Sequence, residues 1–220
     1  MTTSPDSPQI LKAGLVLLDA TTSAVQRVVV LQYNPDSLSR SLQVQSATID
    51  SSGGGDRSEV MRLKAPPVET WKIEAEIDAT DQLEVGNPTA LRAGILPQLA
   101  ALETIIYPPL ATILANHTMA SAGMLEILPM EAPLTLFVWG AARIVPVRIT
   151  DLSVTEDAFD ATLNPIRAKV SLGMRVLSVN DLGFEHRGSS IYIAYQRAKE
   201  SFAAIPTGAT VGQLGIGALP

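Results

Sequence analysis

Arg167-Ala-Lys-Val-Ser-Leu-Gly-Met-Arg-Val176 is the stretch that decides the fold class. Ala168, Val170, Leu172, Met174 and Val176 share one parity, while Arg167, Lys169, Ser171 and Arg175 share the other. Successive side chains of a strand project to opposite faces, so this is a strand with one dry and one wet side, the pattern of antiparallel sheet. Val68–Asp78 repeats it. There Trp71, Ile73, Ala75 and Ile77 point one way, and Thr70, Lys72, Glu74, Glu76 and Asp78 the other. Toward the N-terminus, Gly14–Asp19 and Arg27–Tyr33 are short Val/Leu-rich runs, and Asn34-Pro-Asp36 marks a turn. Leu42, Val44, Ser46 and Thr48 then alternate with polar or small residues as a half-buried strand. The strand period returns from Met124, with Leu134, Leu136 and Val138 and then Val145, Val147 and Ile149 in phase. Leu152 and Val154 fall on the opposite parity, which predicts a bulge or turn near Thr150-Asp151.

Between these strand runs lies a helical stretch. Asn87 is placed as an N-cap with Pro88 at the first helical position, and Pro97 opens a second segment. Leu99, Leu102, Ile105 and Ile106 recur at helical spacing until Tyr107-Pro-Pro109 ends it. After Asp181 the spacing is helical again, with Ile191, Ala194, Tyr195, Ala198 and Phe202 on one stripe. As a candidate docking helix, Ile191, Tyr195, Ala198 and Phe202 either pack on their own domain or meet a neighbouring subunit. Strand runs without regular helical crossovers predict a mainly β, α+β fold: an antiparallel sandwich or barrel with a flanking helix and a C-terminal helix. The expected organisation is a flexible tail over residues 1–11, and a β domain over 12–182 with a helical insertion near 87–116. A C-terminal helix with a Gly/Ala tail covers 183–220.

Composition narrows the chemistry. The 220 residues carry 16 Lys and Arg against 22 Asp and Glu, a net charge of -6, which argues against a phosphate-binding nucleic-acid surface. Cysteine is absent, excluding disulfides, thiolate metal sites and Cys nucleophiles, and the only histidines are His117 and His186. The opening Met1–Pro8 has neither positive charge nor an apolar core, so a cytoplasmic, soluble chain without a signal peptide is expected. Ile95–Ala115 is interrupted by Pro97, Glu103, Pro108 and Pro109 and does not read as a bilayer span. Asp78, Asp81 and Glu84 lack the spacing and glycine of a calcium loop, and Glu156, Asp157 and Asp160 read as a polar loop. Gly53-Gly-Gly55 lacks the Lys-Ser/Thr of a phosphate loop and reads as a connector. No serine sits in a nucleophile elbow. The expectation is a non-enzyme without cofactor or metal.

Several segments resemble one family in colinear order. Leu31-Gln-Tyr-Asn-Pro-Asp-Ser-Leu-Ser-Arg40 is similar to the aromatic-x-Asn-Pro-x-x-Leu element near the start of the tube-adaptor proteins of contractile injection systems. Glu69–Glu84, Gly94–Glu103, Phe137-Val-Trp-Gly140, Ile144–Ile149 and Leu163–Val170 through Asn180-Asp181-Leu182 follow, so the resemblance spans roughly residues 12–184. It implies a phage tail-tube type fold of two packed antiparallel sheets with a flanking helix. It also implies a homo-hexameric ring that joins a trimeric spike protein to the inner tube protein and initiates tube assembly. Such a ring is assembled in the cytoplasm as part of a phage-tail-like particle, with baseplate wedge and sheath components as further neighbours, and without nucleic acid or membrane insertion. The alternatives within the particle are a main inner-tube subunit or a tube-end cap; a remote one is a stand-alone enzyme or ligand-binding barrel. Many members carry a C-terminal LysM module, for which the residues after Asp181 are too few. Lys72, Glu74, Glu76, Arg167, Lys169 and Arg175 are the candidate lumen or interface residues, with ordinary outer surface as the other reading.

Overall fold

Seven strands form one antiparallel sheet in a computed structural model of the chain, which describes residues 11–19, 22–46, 63–123, 132–208 and 213. The strands are β1 (Gly14–Leu18), β2 (Val25–Val30), β3 (Leu38–Ser46), β4 (Leu63–Asp78), β5 (Leu134–Val138), β6 (Ile144–Phe159) and β7 (Pro165–Val176). Their order across the sheet is β2-β1-β5-β6-β7-β4-β3. The α+β class and the antiparallel pairing are as the alternation predicts. So is the phase change in β6, where the register with β7 shifts between Ile149 and Asp151. Expectations that concern residues 1–10, the Gly53–Gly55 connector, the start of the strand period at Met124 and the tail beyond 208 lie outside the described residues, apart from Gln213.

The described strands make one continuous curled sheet, where the resemblance implied two packed sheets. Curvature does the work of a second layer. Trp71 on β4 and Phe137 on β5 belong to strands three places apart, yet their rings meet edge to face at 5.6 Å. The core fills the concave side, with Leu15, Trp71, Phe137, Val145, Leu172 and Met174 fully buried. Amide side chains extend the backbone pairing where strands end. Asn34 Oδ1 accepts from Ala13 N at 2.9 Å and its Nδ2 donates to the Leu11 carbonyl at 2.8 Å, so the ladder continues past β2 through a side chain.

Among the described residues there are six helices: α1 (Thr80–Glu84), α2 (Pro88–Ala93), α3 (Leu96–Glu103), α4 (Leu110–Ser121), α5 (Val179–Leu182) and α6 (Arg187–Ala203). Asn87 caps α2 as its sequence position predicts, accepting from Thr89 N and Ala90 N. Gly94 then turns the chain at φ +53°, and a Cβ there would lie 2.0 Å from the Pro165 carbonyl oxygen. That oxygen accepts from Ile95 N at 2.9 Å, which fastens the α2–α3 corner to the start of β7.

Three expectations are corrected. The prolines at 108 and 109 end one helical segment but begin another: α4 runs to Ser121, past the expected limit near 116, because Pro109 sits in the N-cap position where its missing N–H costs nothing. The half-buried β3 is instead exposed at Leu42 and Val44, because β3 is an edge strand whose far half runs beyond the core. Glu156 and Asp157, read as loop residues, lie in β6 opposite Ala168 and Arg167, because that strand runs on to Phe159. The stripe Ile191, Tyr195, Ala198 and Phe202 divides between its two readings. Tyr195 is buried and Ile191 and Ala198 are half-buried, but Phe202 is 61% exposed. The helix is rotated so that Ser189, Tyr192 and Tyr195 face inward, with Tyr195 and Lys199 both reaching the buried Glu69 carboxylate of β4.

Candidate functional site

The six charged residues singled out on β4 and β7 fall on one face, the convex side opposite the core. Their order there follows from register: Glu76 lies opposite Lys169, Asp78 opposite Arg167 and Thr70 opposite Arg175. Lys72, Glu74, Glu76, Arg167 and Lys169 are exposed; Arg175 is half-buried. Arg167 Nε lies 2.8 Å from Asp78 Oδ2 and 3.7 Å from Glu76 Oε1, and Arg175 Nη2 lies 2.6 Å from Asp181 Oδ1. Burial pushes the Asp78 carboxyl upward, but hydrogen bonds from Thr80 and Arg167 outweigh it and hold Asp78 below the ordinary carboxylate range. The Asn34-Pro-Asp36 turn borders this face and forms a polar groove with Glu74, Glu76, Thr155 and Lys169.

Two unlike edges bound the sheet. Leu31 N donates to the Ala13 carbonyl, so by antiparallel alternation Arg27 and Val29 also turn their backbone groups to β1. Among the described residues nothing pairs with the N–H and C=O groups of Val28 and Val30 at this free edge, and the two residues are 55% and 56% exposed. At the other edge, β3 exposes Leu42 (48%) and Val44 (63%). Helix α4 contains no charged residue and buries none of its side chains, with Leu110, Ile113 and Leu114 exposed.

Helix α6 is fixed to the sheet by one buried carboxylate. Glu69 Oε1 accepts from Arg40 Nη2 (2.8 Å), Trp71 Nε1 (2.7 Å) and the Tyr195 hydroxyl (3.0 Å), and Oε2 accepts from Lys199 Nζ (2.9 Å). Arg40 also lies over the Trp71 ring at 5.2 Å and Lys199 over the Tyr195 ring at 4.1 Å. Sequence reasoning missed this group, although a signal was present: Glu69 occupies the parity that Trp71, Ile73, Ala75 and Ile77 use for the core.

The acidic groups noted in the sequence do not converge on one place. Asp78 belongs to the convex face, where it starts α1 by accepting from Thr80 N. Asp160 organises its own loop, and hydrogen bonds from Asn164 and Thr162 lower it to about 2. His186 caps α6 by accepting from Gly188 N through Nδ1. Among the described residues no three His, Cys, Asp or Glu groups are arranged to hold a metal ion, and no helix is long and apolar enough to cross a membrane. Comparison with known proteins found no family model and no curated protein that matches the chain.

Proposed function

We propose that this chain is a structural adaptor of a contractile injection system. Six copies form a ring that joins the spike to the inner tube and starts tube assembly, without catalysis. The kind of particle is suggested by the colinear resemblance over residues 12–184. The observation that carries assembly is the pair of unlike sheet edges, each with exposed apolar side chains in register with open backbone groups. An open, apolar edge is a template for another strand, and unlike edges on one sheet support a head-to-tail contact of the kind that closes a ring. The convex face, with its intermixed Lys72, Glu74, Glu76, Arg167 and Lys169, is polar as a water-filled channel requires. Arg175 stands at its border, committed to Asp181.

The test is the mass and position of the protein. Light scattering of the purified chain is expected to give a six-copy species, and labelled copies are expected at the spike end of the tube in electron micrographs, six per particle. Many multiples of six per particle would make it a tube subunit instead. A single-copy species at every concentration would overturn the ring.

A further inference from the structure

Between the free edge of β2 and helix α3 lies a slot of about 380 Å³. One wall is β2 and its continuation, from Arg27 to Gln32; the other is α3, through Pro97, Gln98 and Ala101. The floor is apolar, with Ile73, Ala75 and Ile77 from β4 and Val170 and Leu172 from β7. Gln98 has a buried Oε1 without a hydrogen-bond partner. Both ends of the slot are tied. Arg27 Nη1 donates to Thr104 Oγ1 at 2.6 Å, and the Gln32 amide bridges the Asp78 backbone at 2.6 and 2.9 Å. The span between the ties is about 17 Å at roughly 3.4 Å per residue. A neighbouring strand lies about 4.8 Å from its partner, so a segment of about five residues laid on the free edge of β2 fits in this slot between the two ties.

We infer that the slot seats a strand donated by a second copy of this chain, and that the strand is β3. This rests on the ring reading and names the surfaces that close it. Leu38, Arg40, Leu42 and Val44 alternate onto one face of β3. Leu38 packs against the core and Arg40 lies over Trp71, so this is the core-side face. Leu42 and Val44 continue it into solvent, with nothing among the described residues to cover them. In a ring closed by rotation every copy turns the same face to the axis, so the core-side faces of adjacent copies coincide. A β3 added to the next copy's β2 therefore lowers Leu42 and Val44 toward the apolar floor. Its backbone meets the open groups of Val28 and Val30. The donor is uncharged at those positions and the floor is apolar; the charged residues of the lining, Arg27 and Glu76, are exposed to water.

Two variants test it. L42S/V44E spoils the donated strand and leaves the slot intact; V28P spoils the slot's edge by removing an N–H that pairs with nothing in its own sheet, a change edge strands tolerate. Each variant alone is expected to sediment as a single copy while keeping the far-ultraviolet dichroism of the wild type. Mixed in equal amounts they are expected to form a dimer and nothing larger, because one supplies a sound slot and the other a sound strand. If V28P loses its dichroism, V30P carries the same arm. Rings of wild-type size from either folded variant, or no dimer on mixing, would overturn the inference and leave the ring reading in place. A wild type that never leaves the single-copy state would overturn both.

Discussion

Glu69 holds a position that strand alternation assigns to apolar side chains, and it is tolerated because every side of it is met by a donor. Burial raises its pKa, but the Lys199, Trp71 and Arg40 hydrogen bonds and the Lys199 charge outweigh that and leave it below its ordinary 4.5. Unfolded, the carboxyl titrates near 4.5; folded, it titrates lower. Its contribution to stability is therefore complete above pH 4.5 and is lost as the pH falls through the folded value. Glu69→Ala leaves the Trp71 N–H and the Tyr195 hydroxyl without that acceptor, at a cost of about 1–3 kcal/mol for each buried group left unmet. Lys199→Ala is expected to cost about 1 kcal/mol or less, since that ammonium is partly in water. Urea denaturation at pH 7 checks the ranking. Repeating it at pH 3 should narrow the gap between wild type and Glu69→Ala; an unchanged gap would show that the carboxylate does not hold α6.

Helix α4 poses the opposite problem at the scale of the element. It has twelve residues, no charge and no buried side chain. Helices of that length are marginal in water without an apolar face packed on something. By contrast α6 has seventeen residues, buries Ser189, Tyr192 and Tyr195 and reaches Glu69. In the single-copy chain the backbone amides of α4 are expected to exchange with deuterium well before those of the middle of α6. In assembled particles α4 is expected to become protected. Hydrogen exchange followed by mass spectrometry reads both, and equal protection of the two helices in the single-copy chain would remove the case for an external cover. Proline signals found the starts of α2 and α3 correctly, but Tyr107-Pro-Pro109 read as a stop because proline ends one helix and starts another with the same letters.

Across the whole molecule, assembly and stability are linked. A partner that binds only the folded chain stabilises it by mass action, so the unfolding midpoint depends on protein concentration. The thermal midpoint of the wild type is expected to climb over a hundredfold rise in concentration, and that of L42S/V44E to stay still. Scanning calorimetry at both ends of the range decides it, and a flat midpoint for the wild type would mean that the edges are not covered by copies.

Period-two alternation by itself determined that β4 and β7 are strands, which of their faces is dry, and where β6 changes phase, because the alternation of side chains is local geometry. The same local logic placed the Asn87 cap, and put Lys72, Glu74 and Glu76 on the wet side of β4 and Arg167 and Lys169 on that of β7. Only the tertiary structure decided the rest. Curling one sheet so that Trp71 meets Phe137, rotating α6 so that Tyr195 and Lys199 share Glu69, and leaving β2 and β3 as unlike open edges each depend on residues far apart in the chain. Alternation says which side of a strand is dry, but not which strand lies beside it. Neighbours across a sheet are chosen by the sum of long-range packing, and that sum exists only once the chain is folded.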